Sequence, residues 1–154
     1  MIELPALPTE YRVRNPNFAA EVERVFSQAP FVQALGFQLT DFEAGRCNTA
    51  LTLQENHLQQ DGYVHAGVQA TLADHSAGTA AATLLAEGQI ILTAEFKINL
   101  LRAAKGERLC CQARVLKPGA SLIIAEAEVF CFREDHAELV SKATVTLAVV
   151  DKPE

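Results

Sequence analysis

The stretch Asp61–Leu85, "DGYVHAGVQATLADHSAGTAAATLL", decides the fold. It is made almost wholly of small and apolar residues, the composition of a helix packed closely on several sides. Asp74 and His75 interrupt it near the middle. A carboxylate buried without a partner costs several kcal/mol, so Asp74 needs a reason to be there.

Working outward, this stretch is the only long helix candidate, over about Ala66 to Glu87, with Gly88 as its stop signal. Beyond it the period changes to two. In "IILTAEFKINLL", Ile90, Leu92, Ala94, Phe96, Ile98 and Leu100 fall on one strand face, and Thr93, Glu95, Lys97 and Asn99 on the other. "ERLCCQARVL" and "SLIIAEAEVFCF" read as two strands joined by a turn at Lys117–Ala120, and "ELVSKATVTLAVV" as the last strand. The apolar set of that last strand is Leu139, Ala143, Val145, Leu147 and Val149.

Upstream, "GFQLTDFEAGRCNTALTL" reads as two short strands about a turn at Glu43–Gly45. Before it, "NPNFAAEVERVFSQAP" has helical spacing at Phe18, Val22, Val25 and Phe26. Asn15 is the expected N-cap, Pro16 the first helical residue, and Pro30 closes the segment. Residues 1–14 read as an irregular leader. The order is a terminal helix, two strands, one long small-residue helix and four antiparallel strands. The expected class is α+β, a curved sheet wrapped around one central helix. The organisation is a single domain over 1–154, with leader and short helix in 1–30 and the core in 31–150.

Bulk properties narrow the function. A chain of 154 residues, 49% hydrophobic and 21% charged, is an ordinary globular composition. Its net charge of −6 argues against broad nucleic-acid binding, which needs a clustered basic surface. No apolar run approaches the roughly 18 to 20 residues that span a bilayer, so no membrane partner is expected. No basic start leads into an apolar block, so the expected location is cytoplasmic. Cys110 and Cys111 are adjacent while Cys47 and Cys131 stand alone, and neither a CxxC pair nor a zinc spacing occurs. No metal is therefore expected.

Three features of the long helix carry chemistry. Its start, "GYVHAGV", places Gly62 and Gly67 around His65, and the unpaired N–H groups of a helix start suit a polarised carbonyl or developing oxyanion. Asp74 lies seven residues beyond Gly67, two turns on and on the same face, about 10 Å along the axis. One bound carbonyl cannot meet both. Two antiparallel helices side by side bring the start of one to the middle of the other, so a catalytic Asp74 implies a dimer with shared sites. His75 points about 100° away from Asp74 and reads as packing. His65, in the turn that sets up the helix, has a positioning role.

"HAGVQATLAD" resembles the HGG-x6-D signature of the PaaI-like hotdog-fold acyl-CoA thioesterases, with His65 and Asp74 at the expected separation. "NLLRAA" resembles the strand segment that follows the helix in that family, and the order of elements matches over about residues 30–150. The resemblance implies an acyl-CoA substrate and no cofactor, coenzyme A being part of the substrate. It places Asp74 as the carboxylate that activates water or attacks the thioester carbonyl. Ala66 and Gly67 take the places of the two glycines, with the Ala66 N–H polarising the thioester oxygen. Gln59 stands where the family often has an Asn that orients the carbonyl or water, and Thr93 where a hydroxyl helps hold the water. An Ala in place of the first Gly still donates its N–H.

The expected activity is hydrolysis of an acyl-CoA to free acid and CoA by a homodimer, with a tetramer as a further assembly. Arg102, Lys105 and Lys117 lie near turns able to hold the CoA phosphates. Two other functions fit the same fold: a hotdog dehydratase or hydratase, and a non-catalytic acyl-CoA-binding or sensing module. The first wants a His-Phe-Pro segment, which is absent around His57 and His65. The second has no need of Asp74.

Overall fold

The computed structural model describes residues 10–153. Of the leader expected at 1–14, residues 1–9 lie outside the described part. The remainder is irregular, with Tyr11 packed on the core. The first helix, α1 (Phe18–Ser27), begins later than its sequence signals predict. Asn15 caps a preceding turn, its Oδ1 accepting from the Asn17 N–H at 2.9 Å. Pro30 does not end a helical region but begins a second short helix, α2 (Pro30–Leu35). Its fixed φ and missing N–H suit a first helical position, and Gly36 closes α2 in the left-handed region at φ 77°.

Strands β1 (Gln38–Glu43) and β2 (Arg46–Thr52) flank the expected turn. The long helix α3 (Ala66–Ala82) follows, then β3 (Gln89–Leu100), β4 (Arg108–Pro118), β5 (Leu122–Arg133) and β6 (His136–Asp151). They form one six-stranded antiparallel sheet in the order β1-β2-β4-β5-β6-β3, with α3 packed against β2 to β6. This is the hotdog arrangement. Leu72, Ala73, Ala77, Ala80 and Ala81 are fully buried, and small side chains let the sheet close on the helix.

Helix α3 ends at Ala82, five residues before the predicted end. The reason is Thr83, whose hydroxyl donates to Ala80 O at 2.7 Å and accepts from the Gly45 N–H at 2.7 Å. The bond ties the helix end to the β1–β2 turn. Gly88, at φ 80°, serves the turn into β3 instead. Gly45, at φ 74°, must be glycine for a second reason: a Cβ there would run into the Tyr11 ring at 2.5 Å.

Two register shifts change which residues face the helix. On β3 the shift falls between Thr93 and Glu95, so Thr93 opposes buried Leu147 while Phe96 opposes buried Val145. Ile91 and Thr93 therefore share the helix side with Phe96 and Ile98, whereas Leu92 points outward and is 56% exposed. The strict alternation predicted for this strand is broken by one extra residue. A second shift, where β5 meets β6 at Phe130–Leu139, puts Val140 inside in place of the predicted Leu139. Among the described residues no helix is long and apolar enough to cross a membrane.

Candidate active site

The chain from β2 to α3 is fixed by His57, which sequence reasoning passed over. It sits in a 3₁₀ turn at Glu55–His57 and is buried. Its Nδ1 accepts from the Gln54 N–H at 3.0 Å, so Nε2 carries the proton and donates to Leu35 O at 2.9 Å. The His57 carbonyl in turn accepts from the His65 N–H at 2.9 Å. Its sequence signal is weak, because every partner is a backbone group.

His65 is the N-cap of α3, at φ −59° and ψ 137°. Its Nδ1 accepts from the Gly67 N–H at 2.9 Å, and a Cβ on Gly67 would press on that same nitrogen at 3.0 Å. Glycine leaves the ring room to make the cap. This bond also narrows the polarising set expected at the helix start. The Gly67 N–H is taken, while the exposed Ala66 N–H has no acceptor among the described residues. It points out at the positive end of the helix dipole.

Asp74 is half-buried, and Thr93 Oγ1 donates to its Oδ1 at 2.9 Å. Burial raises the carboxyl's pKa, and the Thr93 bond partly offsets this by favouring the charged form. The β3 shift makes the contact possible by turning Thr93 to the helix side. His75, next along the helix, faces α1, with its ring 5.0 Å from that of Phe26. Burial pushes its pKa down to about 4, and its Nε2 has no partner among the described residues.

Gln59 lies beside the helix start, but its Oε1 accepts from the Asp61 N–H of its own turn. Of the basic residues, Arg102 and Lys105 stand near the helix start. Arg102 pairs with Glu138 at 2.9 Å and donates to Leu139 O at 3.1 Å, and Lys105 lies over the Tyr63 ring at 5.7 Å. Lys117 does not join them within one chain. It sits near the end of β4, next to the Pro118–Gly119 turn that reaches Leu84 beyond the helix C-terminus. Ala66 and Asp74 are eight residues apart, about 12 Å along the axis, so one chain holds the two groups apart.

A carboxylate held by a hydroxyl, and an unpaired amide at a helix start, are groups of the kind that acyl transfer uses. The chain belongs to the thioesterase superfamily, whose family model matches residues 61–137. It is similar to a thioesterase family protein of Silicibacter pomeroyi, at 34% identity and a TM-score of 0.85, over 87% of this chain and 98% of that one. A thioesterase of Haemophilus influenzae shares the fold, at a TM-score of 0.76 and 20% identity over 86% and 92% of the two chains. A relative in Listeria monocytogenes, a 1,4-dihydroxy-2-naphthoyl-CoA hydrolase, is 25% identical over 78% of this chain and 95% of its own. The protein is a thioester hydrolase.

Proposed function

We propose that this protein hydrolyses acyl-CoA thioesters at sites shared between two copies of the chain. The thioester oxygen rests on the Ala66 N–H of one copy, which stabilises charge as the tetrahedral intermediate forms. Asp74 of the facing copy either takes a proton from the attacking water or attacks the carbonyl carbon itself, giving a mixed anhydride that water then opens. In both routes the CoA thiolate leaves, and no metal or cofactor takes part. Arg102 and Lys105, both near the helix start, would bind the CoA phosphates, Arg102 by exchanging its Glu138 partner.

One observation carries this reading: Asp74 is a half-buried carboxylate oriented by Thr93 on strand β3. Strand β3 is an edge of the sheet. It is twelve residues long, and with the segment after it presents Leu92, Phe96, Leu100 and Leu101, all at least 42% exposed. A long apolar edge of this kind calls for a pairing partner. A second copy paired there would lay its helix antiparallel to the first and close the distance between Asp74 and the facing Ala66.

The test is a panel of short, long and aromatic acyl-CoAs assayed for thiol release, with the parent and Asp74→Asn. Hydrolysis by the parent and its loss in the variant, with acyl-CoA binding kept, is the expected result. An inert parent that still binds the panel would make the protein an acyl-CoA sensor.

A further inference from the structure

We infer that Gly78 admits the acyl chain to a groove between α1 and β3, sized for a straight chain of about eight to ten carbons. The inference rests on the thioesterase reading above and names the acyl class. Asp74, Gly78 and Ala82 follow at four-residue spacing, so they stand along one side of α3. Strand β3 flanks that side, with Thr93 on Asp74 and Ile91 beside Gly78. Gly78 is only partly buried, and among the described residues a Cβ there would meet nothing but Ile91 Cδ1, at 3.6 Å. Glycine is unfavourable inside a helix relative to alanine. Here its effect is to leave the way past Asp74 open.

Helix α1 makes the other wall. Phe26 packs on His75, while Glu21 and Arg24 stand by Ala82 and Leu85, so α1 runs back along α3. Between α1 and β3 lies a groove of about 240 Å³ walled by Val25, Ala29, Ala82, Leu85 and Ile91, all apolar. The Glu21–Arg24 pair closes it with charge, Arg24 Nε donating to Glu21 Oε2 at 2.9 Å. From Asp74 to Ala82 is about 12 Å along the helix axis, with Gly78 halfway.

This layout selects the occupant. Arg102 and Lys105 take the CoA end of the substrate on the copy that offers Ala66, which leaves the acyl chain to the copy that offers Asp74. A single aromatic ring on the carbonyl ends near Gly78, short of the apolar walls. A straight chain of carbon–carbon bonds, each about 1.5 Å long, spans the distance with roughly eight to ten carbons. Each methylene buried there stabilises the complex, and the gain stops where the chain meets the ion pair. Ground and transition states share that burial, so it appears in KM more than in kcat.

The experiment measures kcat and KM for even-numbered straight acyl-CoAs from acetyl to dodecanoyl, with benzoyl-CoA beside them. In the parent, kcat/KM is expected to climb by up to about fourfold per methylene, through KM, and to level off after octanoyl or decanoyl. Gly78→Leu fills the way one turn past Asp74 and is expected to lower the octanoyl-to-butyryl ratio at least about tenfold. Val25→Phe fills the far part, so it lowers the decanoyl-to-hexanoyl ratio and spares the hexanoyl-to-butyryl one. Should Gly78→Leu fail to fold or dimerise, Val25→Phe decides alone. A parent with no gain beyond butyryl, or folded variants that lower every length alike, overturns the inference and leaves the hydrolase standing. Activity on benzoyl-CoA alone does the same. A parent inert on every one of these thioesters overturns the thioesterase reading and this inference with it.

Discussion

Thr93 reaches Asp74 across a break in strand register: its Oγ1 donates to the carboxylate at 2.9 Å because β3 shifts between Thr93 and Glu95. Without that extra residue Thr93 would point away from the helix. The bond favours ionised Asp74 against a burial that opposes it. Thr93→Val removes the donor and keeps the shape. Its Asp74 pKa rises further, so the acid limb of the kcat/KM profile moves to higher pH. On that acid limb the rate at a given pH falls by up to about tenfold. An unmoved acid limb would mean that Thr93 does not tune Asp74 or that Asp74 does not set the limb.

The cap at His65 predicts a different effect. His65→Ala removes the ring nitrogen that accepts from the Gly67 N–H. Loss of a helix cap costs about 1 kcal/mol, which lowers Tm by about 2–4 °C in a chain of this size. Thermal unfolding followed by circular dichroism checks it.

His57 joins three parts of the chain through Gln54 N–H, Leu35 O and its own carbonyl to His65. His57→Ala leaves the first two without a partner and opens a cavity beneath α2. The expected cost is roughly 2–4 kcal/mol, read as a Tm lower by about 5–10 °C. A shift under 1 °C would show that the bonds are replaced by water at no cost.

For His75 the sign follows from its lowered pKa. The folded value is about 4 and the ordinary value 6.5, so the unfolded chain binds the proton more readily between them. Stability is complete above pH 6.5 and is lost as pH falls towards 4, by about 3 kcal/mol at most. His75→Leu removes this loss and the unpaired Nε2 together. Denaturant unfolding at pH 5 and pH 7.5 should show a smaller difference in the variant than in the parent, with hydrolysis unchanged.

Much of this was legible in the chain. The composition of Asp61–Leu85 marks a tightly packed helix, and the alternation after it marks a sheet. The spacing of His65, Ala66, Gly67 and Asp74 resembles the family signature and marks the candidate site. What escaped has physical causes. A bulge adds one residue without altering composition, and Ile90 and Ile91 are both apolar, so either face of β3 looked suitable for burial. Helix α2 is too short to show a period, and Pro30 signals a stop as readily as a start. His57 bonds only to backbone groups, one of them 22 residues away, and no side-chain pattern records that.

The central claim is that Ala66 of one copy and Asp74 of another make one site, and complementation tests it most directly. Ala66→Pro deletes only the N–H in question. Proline suits the first helical position, and His65 at φ −59° and ψ 137° already has the extended backbone favoured before it. Asp74→Asn deletes the carboxylate. Each variant alone is expected to be inactive. Mixed, unfolded and refolded together, half the dimers pair one of each, and each such dimer regains one intact site of two. Recovery of about a quarter of parental acyl-CoA hydrolysis is expected. Mixed dimers that form, by native mass spectrometry, and stay inactive would contradict it.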